Sequence, residues 1–342
     1  MERKSSFLLT LSMFVAIMIT TIPASATFPG KNGRIAFVSG PDIYTMNPDG
    51  SNVRQLTHMT GDNSASWESW SADGKQIVFN EFLAPDFNGQ LWIMNADGSN
   101  QHLLLADSNF DDQRPSFTPD GSAVVFSRRR LDIEAYAIYQ IGLAGGTPTA
   151  ITGFELGIQD NSPKYSASGR LIFTGLGRRG IICAIYLQSR DGEGARQLTP
   201  APLTFRRPDW SPDGDQIAAS SHYGTPQNEE IWVFDRDGDR LRQLTNNGND
   251  YFNGPHDINP SWSPQGDAIV FERDAPDFSS SAIYIMKYDG TGCRKLFTLR
   301  DSPRSNLLKH REARQSIDAR NGRHLVEIEQ GGSFPQWGVA SD

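Results

Sequence analysis

Apolar residues in this chain come in short runs that recur in step with turns. Ile77-Val78-Phe79, Val124-Val125-Phe126, Leu171-Ile172-Phe173, Ile217-Ala218-Ala219 and Ile269-Val270-Phe271 are each preceded by an aromatic residue and a turn. The aromatic anchors are Trp70, Phe117, Tyr165, Trp210 and Trp262, and the turns end on Gly74, Gly121, Gly169, Gly214 and Gly266. Such runs are too short for helices. Their β-branched and aromatic content, between Ser, Pro, Asp and Gly, reads as buried strands. A second phrase follows in each unit: Ile43-Tyr44 before Asp49-Gly50, Leu91-Trp92 before Asp97-Gly98, Ile231-Trp232 before Asp237-Gly238, Ile283-Tyr284 before Asp289-Gly290. Asp-Gly between β-rich runs is a hairpin signal. A final short strand such as Gln55-Leu56-Thr57 or Gln243-Leu244-Thr245 closes the unit.

Each unit is thus four strands, a to d, repeated at roughly 50-residue spacing, the mark of a stacked-repeat architecture. A lone four-stranded sheet cannot bury both faces, so the units must pack on one another, and radial packing gives a propeller. The ends of the chain complete the ring. The segment from Gly30 to Phe37 is a turn plus strand b without a strand a, and Phe334-Pro335-Gln336-Trp337 is a strand a with nothing after it. The expectation is an all-β, six-bladed β-propeller of four-stranded blades, closed by pairing the N-terminal strands with a C-terminal strand. Removing the chain from Ser333 onward is then expected to open the ring.

These phrases resemble the WD-like repeats of the TolB-like propeller family. The resemblance implies the fold and covers nearly all of residues 27–342. TolB proteins carry an α/β domain before the propeller, whereas here the repeats start directly after the leader, and no functional residue is carried over. The same repeat also serves peptidases, lyases and binders, so it leaves function open.

Residues 1–26 read as a signal peptide: Arg3 and Lys4, an apolar stretch from Phe7 to Ile22, then Ala24-Ser25-Ala26. The protein is expected to be exported, periplasmic or extracellular, without stable membrane insertion after leader cleavage. A formal net charge of −8 argues against nucleic-acid binding. Cys183 and Cys293 fall two units apart and read as unpaired structural thiols. Residues 299–332 form a basic insert before the closing strand, with Ser305 to Ile317 a candidate helix and 324–328 an extra strand. The insert is either a solvated surface segment or a dock for an acidic partner or uronate-type sugar.

Strand order puts the short a–b and c–d turns at one end of the ring and the irregular b–c and d–a segments at the other, the end expected to carry binding residues. At that end, Asp62, Asp111, Asp112, Asp160 and Asp257, with Asn63, Asn161 and Asn259, lie just before strand a, where another unit has Arg206 and Arg207. A ring of carboxylates and amides there either holds a cation or polar ligand, or caps the connections through Asx-type bonds. His222 and His256 fall at the same end. They are scattered surface histidines or, alternatively, ligands of a divalent transition metal. The chain has no Gly-x-Ser-x-Gly elbow and no His-Glu-x-x-His. The reading is a non-catalytic recognition module, a monomeric ring without cofactor, binding a protein or polysaccharide. The alternative is a metal-assisted carbohydrate lyase or hydrolase using His222 and His256.

Overall fold

The computed structural model describes residues 28–178, 183–189, 194–200, 203–222, 228–248, 254–300 and 335–341. The leader and the segment 301–334, with its expected helix and extra strand, lie outside the described residues. Among the described residues all regular structure is β-strand, and no helix is long and apolar enough to cross a membrane.

The strands run in antiparallel sets of four. The first holds β1 (Asn32–Ser39), β2 (Asp42–Met46) and β3 (Arg54–Gln55), and the second β4 (Ser64–Trp70), β5 (Gln76–Phe82), β6 (Gly89–Asn95) and β7 (His102–Leu105). Next come β8 (Phe110–Phe117), β9 (Ala123–Arg130), β10 (Ala135–Gly142) and β11 (Thr149–Ala150), then β12 (Gln159–Tyr165), β13 (Leu171–Leu176), β14 (Ala184–Gln188) and β15 (Ala195–Gln197). They are followed by β16 (Thr204–Trp210), β17 (Gln216–His222), β18 (Glu230–Asp235) and β19 (Arg242–Gln243), then β20 (His256–Trp262), β21 (Ala268–Asp274), β22 (Ser281–Lys287) and β23 (Arg294–Thr298). The last strand, β24 (Gln336–Val339), returns to the first set, giving the order β24-β1-β2-β3. The fold is a β-propeller.

The expected separation into independent four-stranded sheets holds for four of them; β8–β11 and β12–β15 instead join into one eight-stranded sheet. The junction is a single parallel pairing of Tyr136 with Gln159, made where the Tyr136 N–H donates to the Ile158 carbonyl at 3.3 Å.

Local chemistry explains the turns. In the a–b turns a hydroxyl closes the bend: Ser71 Oγ donates to Asp73 Oδ1 at 2.7 Å and accepts the Gln76 N–H at 2.9 Å, and Ser211 accepts the Gln216 N–H in the same way. In the c–d turns Asp49 and Asp289 accept the N–H two residues on, as Asx turns do. Gly50 in one such turn has φ +89°, and a Cβ there would stand 2.9 Å from the Leu296 carbonyl of the last set.

Packing is between sets. Ala36, Val38 and Ile43 of the first set cluster with Trp70, Ile77, Phe79 and Met94 of the second. Ile35, Phe37 and Met46 cluster with Val270 and Ile283 of the last set and with Trp337. The other junctions repeat the arrangement. The first strands touch in a closed cycle, β4, β8, β12, β16, β20, β24 and back to β4.

β24 pairs antiparallel with β1, Ile35 opposite Trp337 and Ala36 opposite Gln336. The Trp337 indole N–H donates to the Gly33 carbonyl at 3.2 Å and the Trp70 indole N–H to the Gln336 carbonyl at 3.3 Å. Trp337→Ala is expected to cost about 3–5 kcal/mol, the range for emptying a buried aromatic site. Truncation before Pro335 should abolish cooperative unfolding, which urea titration followed by tryptophan fluorescence will show.

Candidate functional site at the central channel

The innermost strands share a backbone irregularity that the repeat enforces. Each of β4, β8, β12, β16 and β20 carries a one-residue bulge against its neighbour. At each bulge one non-glycine residue takes a left-handed conformation: Trp67, Arg114, Ser162, Arg207 and Asn259, with φ between 53° and 57°. Such conformations are unfavourable for L-residues and persist only where the surroundings impose them. Here the imposition comes from the preceding set. The Arg114 N–H donates to Asn80 Oδ1 at 2.9 Å, Ser162 to Ser127 Oγ at 3.1 Å, Arg207 to Thr174 Oγ1 at 3.2 Å and Asn259 to Ser220 Oγ at 3.2 Å. Asn80, Ser127 and Thr174 each directly follow the Phe of a strand b. The next residue in the first strand is Pro115, Pro163, Pro208 or Pro260, allowed there because a bulge needs no ladder N–H.

These residues line a channel together with Glu68, Lys164, Asp209 and Gln336, enclosing about 60 Å³. The Arg114 guanidinium lies 4.9 Å from the centre of the Trp67 ring, which packs edge-on to Phe82 at 5.2 Å and clusters with Phe87 of the b–c loop. Arg207 Nη1 donates to Asn259 Oδ1 at 2.5 Å, and Asn259 Nδ2 to Glu272 at 2.9 Å. Lys164 Nζ donates to Gln336 Oε1 at 2.9 Å; burial lowers its pKa, opposed by Asp209 and Glu68. Asp209 Oδ2 accepts the Trp262 N–H at 2.9 Å. Glu68 stands where the other first strands have proline. It is 2% exposed, neither carboxyl oxygen has a hydrogen-bond partner among the described residues, and burial pushes its pKa up to about 8.

Of the residues singled out from sequence, Arg207 and Asn259 line the channel and the aspartates and His256 do not. Asp112, Asp160 and Asp257 are buried, each in a two-pronged pair with an arginine of the same set. Asp112 meets Arg128 at 2.7 and 2.8 Å, Asp160 meets Arg178, and Asp257 meets Arg273 at 2.6 and 2.7 Å. Burial nevertheless pushes Asp112 up to about 6. Asp111 accepts the Gly89 N–H at 2.8 Å and the Gln113 side-chain amide at 2.6 Å. Arg206 lies 3.6 Å from Glu229. Asp62 sits exposed in a turn. The aspartates at the starts of the first strands therefore work mainly as partners of arginines, neither a carboxylate ring open to a cation nor principally backbone caps.

His256 is fully buried, accepts the Glu229 N–H at Nδ1 at 3.3 Å and stacks on Phe278 with ring centres 4.9 Å apart. His222 ends β17, paired with Thr204; its side chain is outside the described residues. Among the described residues no three His, Cys, Asp or Glu side chains gather as a metal set. His256 Nδ1 and the Asp257 carboxylate are thus both engaged within the scaffold. Cys183 is buried and free, its thiol raised to about 11 by burial and donating to the Phe205 carbonyl; Cys293 is exposed and free.

The sequence reading missed Trp67, Glu68, Arg114, Ser162, Lys164, Asp209 and Gln336. Its available signal was the proline two residues before the aromatic anchor (Pro115, Pro163, Pro208, Pro260, Pro335) and its replacement by Glu68.

Two expectations follow. Arg273→Met leaves Asp257 buried with the Asn247 amide but without its counter-charge, and should cost about 3–5 kcal/mol. Replacing both members with apolar residues should cost less, which a double-mutant cycle in urea will measure. Between pH 4.5 and about 8 the folded protein holds a proton on Glu68 that the unfolded chain has released, so this group's contribution to stability falls as pH rises through that window. Glu68→Gln should flatten that slope and stabilise the protein at pH 8 by on the order of a few kcal/mol, read from urea midpoints across pH.

No protein-family model matches the chain. An uncharacterised protein of Agrobacterium fabrum is 29% identical over 245 residues, 68% of this chain and 75% of that protein. The uncharacterised peptidase YuxL of Bacillus subtilis is 29% identical over 116 residues, 32% of this chain and only 17% of YuxL. Among solved structures, TolB from Acinetobacter baumannii superposes with a TM-score of 0.64 at 20% identity, over 92% of this chain and 68% of TolB. A protein assigned as TolB from Agrobacterium tumefaciens gives 0.60 at 22% identity, over 79% and 91%. A manganese complex of oligogalacturonate lyase gives 0.51 at 13% identity, over 80% and 76%. The structural neighbours are TolB-like and related propellers, and what this chain shares with them is the β-propeller fold.

Proposed function

We propose that this protein is an exported, six-bladed recognition propeller that binds a protein or glycan partner at the end of the channel where the b–c loops and d–a connections meet. The six blades are the six four-strand sets, the eight-stranded sheet counting as two; the closed cycle of first strands supports this count. Export rests on the leader features of residues 1–26.

One observation carries the recognition reading. The repeat imposes the same left-handed bulge on five innermost strands, yet the side chains it presents to the channel are Trp67, Arg114, Ser162, Arg207 and Asn259. Where packing dictates the residue, the repeat keeps it: Phe79, Phe126, Phe173 and Phe271 recur on the strands b. Where packing makes no demand and drift alone acts, polar solvent-facing residues are expected, not a buried Arg–Trp stack. A strained backbone holding varied, partly charged side chains in a concave site is the arrangement of a binding surface.

The test is to bind the exported protein to envelope proteins and a polysaccharide array, then repeat with Arg114→Ala at the channel and with Asp49→Lys at the opposite end. A partner that engages the channel end should lose at least about tenfold in affinity with Arg114→Ala, as for an interface hot spot, and be unaffected by Asp49→Lys. The converse pattern would overturn the proposal.

A further inference from the structure

The side chains on the channel wall fall into three tiers, counted from the loop end: the left-handed residue of each strand, the position of the repeated proline, and the residue before the aromatic anchor. The middle tier holds Pro115, Pro163, Pro208, Pro260 and, in their register, Glu68. Proline has no N–H and no polar side-chain atom, so this tier offers Glu68 no donor. Glu68 is buried, and neither of its oxygens has a hydrogen-bond partner among the described residues. Such a carboxyl is costly whether ionised or neutral, because in both states it keeps an acceptor oxygen to satisfy.

The inner tier holds Lys164, Asp209 and Gln336. Lys164 Nζ donates to Gln336 Oε1, and Asp209 Oδ2 accepts the Trp262 N–H. Lys164 and Glu68 are near enough to feel each other's charge, yet no hydrogen bond joins them. As an ammonium or as an amine, Lys164 keeps at least one N–H beyond the one given to Gln336. The outer tier answers its own charges: Arg114 lies beside Asp111 and Tyr136, and Arg207 donates to Asn259. Hydrogen bonding, not a net charge, therefore selects what Glu68 and Lys164 hold between them.

Two unpartnered oxygens beside a spare N–H call for a group with donors and an acceptor close together. A primary carboxamide has both: its NH₂ donates to Glu68 and its oxygen accepts from Lys164. If the carboxyl is neutral, the same group still pairs with it, donating to its carbonyl and accepting from its O–H. A carboxylate has no hydrogen for Glu68, an ammonium has no acceptor for Lys164, and a hydroxyl has one hydrogen for two oxygens. Size narrows the choice further. At roughly 10–15 Å³ for each ordered water, a space of about 60 Å³ admits a few waters or one carboxamide head, but no sugar ring.

We infer that the inner channel is a binding site for a primary carboxamide on a slender stem, the Asn or Gln side chain of a partner protein, held by Glu68 and Lys164 between proline walls. This deepens the recognition reading and rests on it for the identity of the partner, though the site itself is testable without one.

The experiment is calorimetric titration of the exported protein with propionamide, N,N-dimethylpropionamide, propionate, propylamine and propanol. Propionamide should bind, and each of the others at least about tenfold more weakly, since each leaves a buried donor or acceptor unanswered. Glu68→Pro restores the residue that the repeat carries at this position and removes the acceptor, so it should fold and lose at least about tenfold in propionamide affinity. Lys164→Met should weaken binding by a similar factor. Melting curves check folding; should Lys164→Met not fold, Glu68→Pro and the ligand series still decide. Absence of propionamide binding, equal binding of propionate, propylamine or the dimethylated amide, or unchanged affinity in Glu68→Pro would each overturn the inference. Propionamide binding without any macromolecular partner would sink the recognition reading alone. A partner that is lost with Arg114→Ala but binds Glu68→Pro unchanged would sink this one alone.

Discussion

Trp337 joins three parts of the ring. Its strand pairs with β1, its backbone N–H reaches Ser261 of the last set, and the neighbouring Gln336 carbonyl accepts from Trp70 of the second. The rest of the structure depends on this contact, because the four-strand sets share their cores with their neighbours. Every large apolar cluster of the described residues lies between two four-strand sets, so each set needs a neighbour on both sides, and the first and last sets have one only if the chain's two ends meet. Closure therefore completes two core interfaces at once and removes the exposed edge an open array would leave.

The same inter-sheet contact shapes the channel. A side chain on the second strand of one set accepts a hydrogen bond from the bulged residue of the next, so the backbone at the channel wall is fixed from outside by Asn80, Ser127, Thr174 and Ser220. A bulge secured this way does not depend on the side chain it displays. The wall can change residue by residue while the ring stays the same, which is why a propeller scaffold and its ligand chemistry are separable.

How much of this was legible in the sequence follows from what a linear pattern can carry. The repeat phrase exposed the strands, the turns and the closing strand, because each is local and periodic. The aspartates misled because their partners are one strand away: Asp112 lies directly opposite Arg128 and Asp257 opposite Arg273, a register that only the fold displays. The eight-stranded sheet was equally hidden, since it depends on one rung between Tyr136 and Gln159 with no residue signature. The bulges were half visible. Proline inside a strand pattern marks a bulge or an edge, and Pro115, Pro163, Pro208, Pro260 and Pro335 stand in register in the repeat, but the left-handed residue before Pro115, Pro163, Pro208 and Pro260 has no fixed identity to read.

Glu68 is where those levels of description disagree. Its neighbours in sequence, Ser69 and Trp70, follow the repeat, and so does the left-handed Trp67 before it. Pattern, turn chemistry and packing all predict proline at this position, and proline would bury there without polar atoms to satisfy. A repeat scaffold can lose such a residue to drift, but drift favours substitutions that cost little, and a buried carboxyl whose oxygens find no donor is among the costlier ones. Placing it beside Lys164 gives that cost a chemical direction: burial raises the pKa of the carboxyl, and Lys164 opposes the rise. Local departures from an otherwise consistent design are expected at functional positions, and this one stands on the channel wall, where the ring's geometry gathers side chains from several sets.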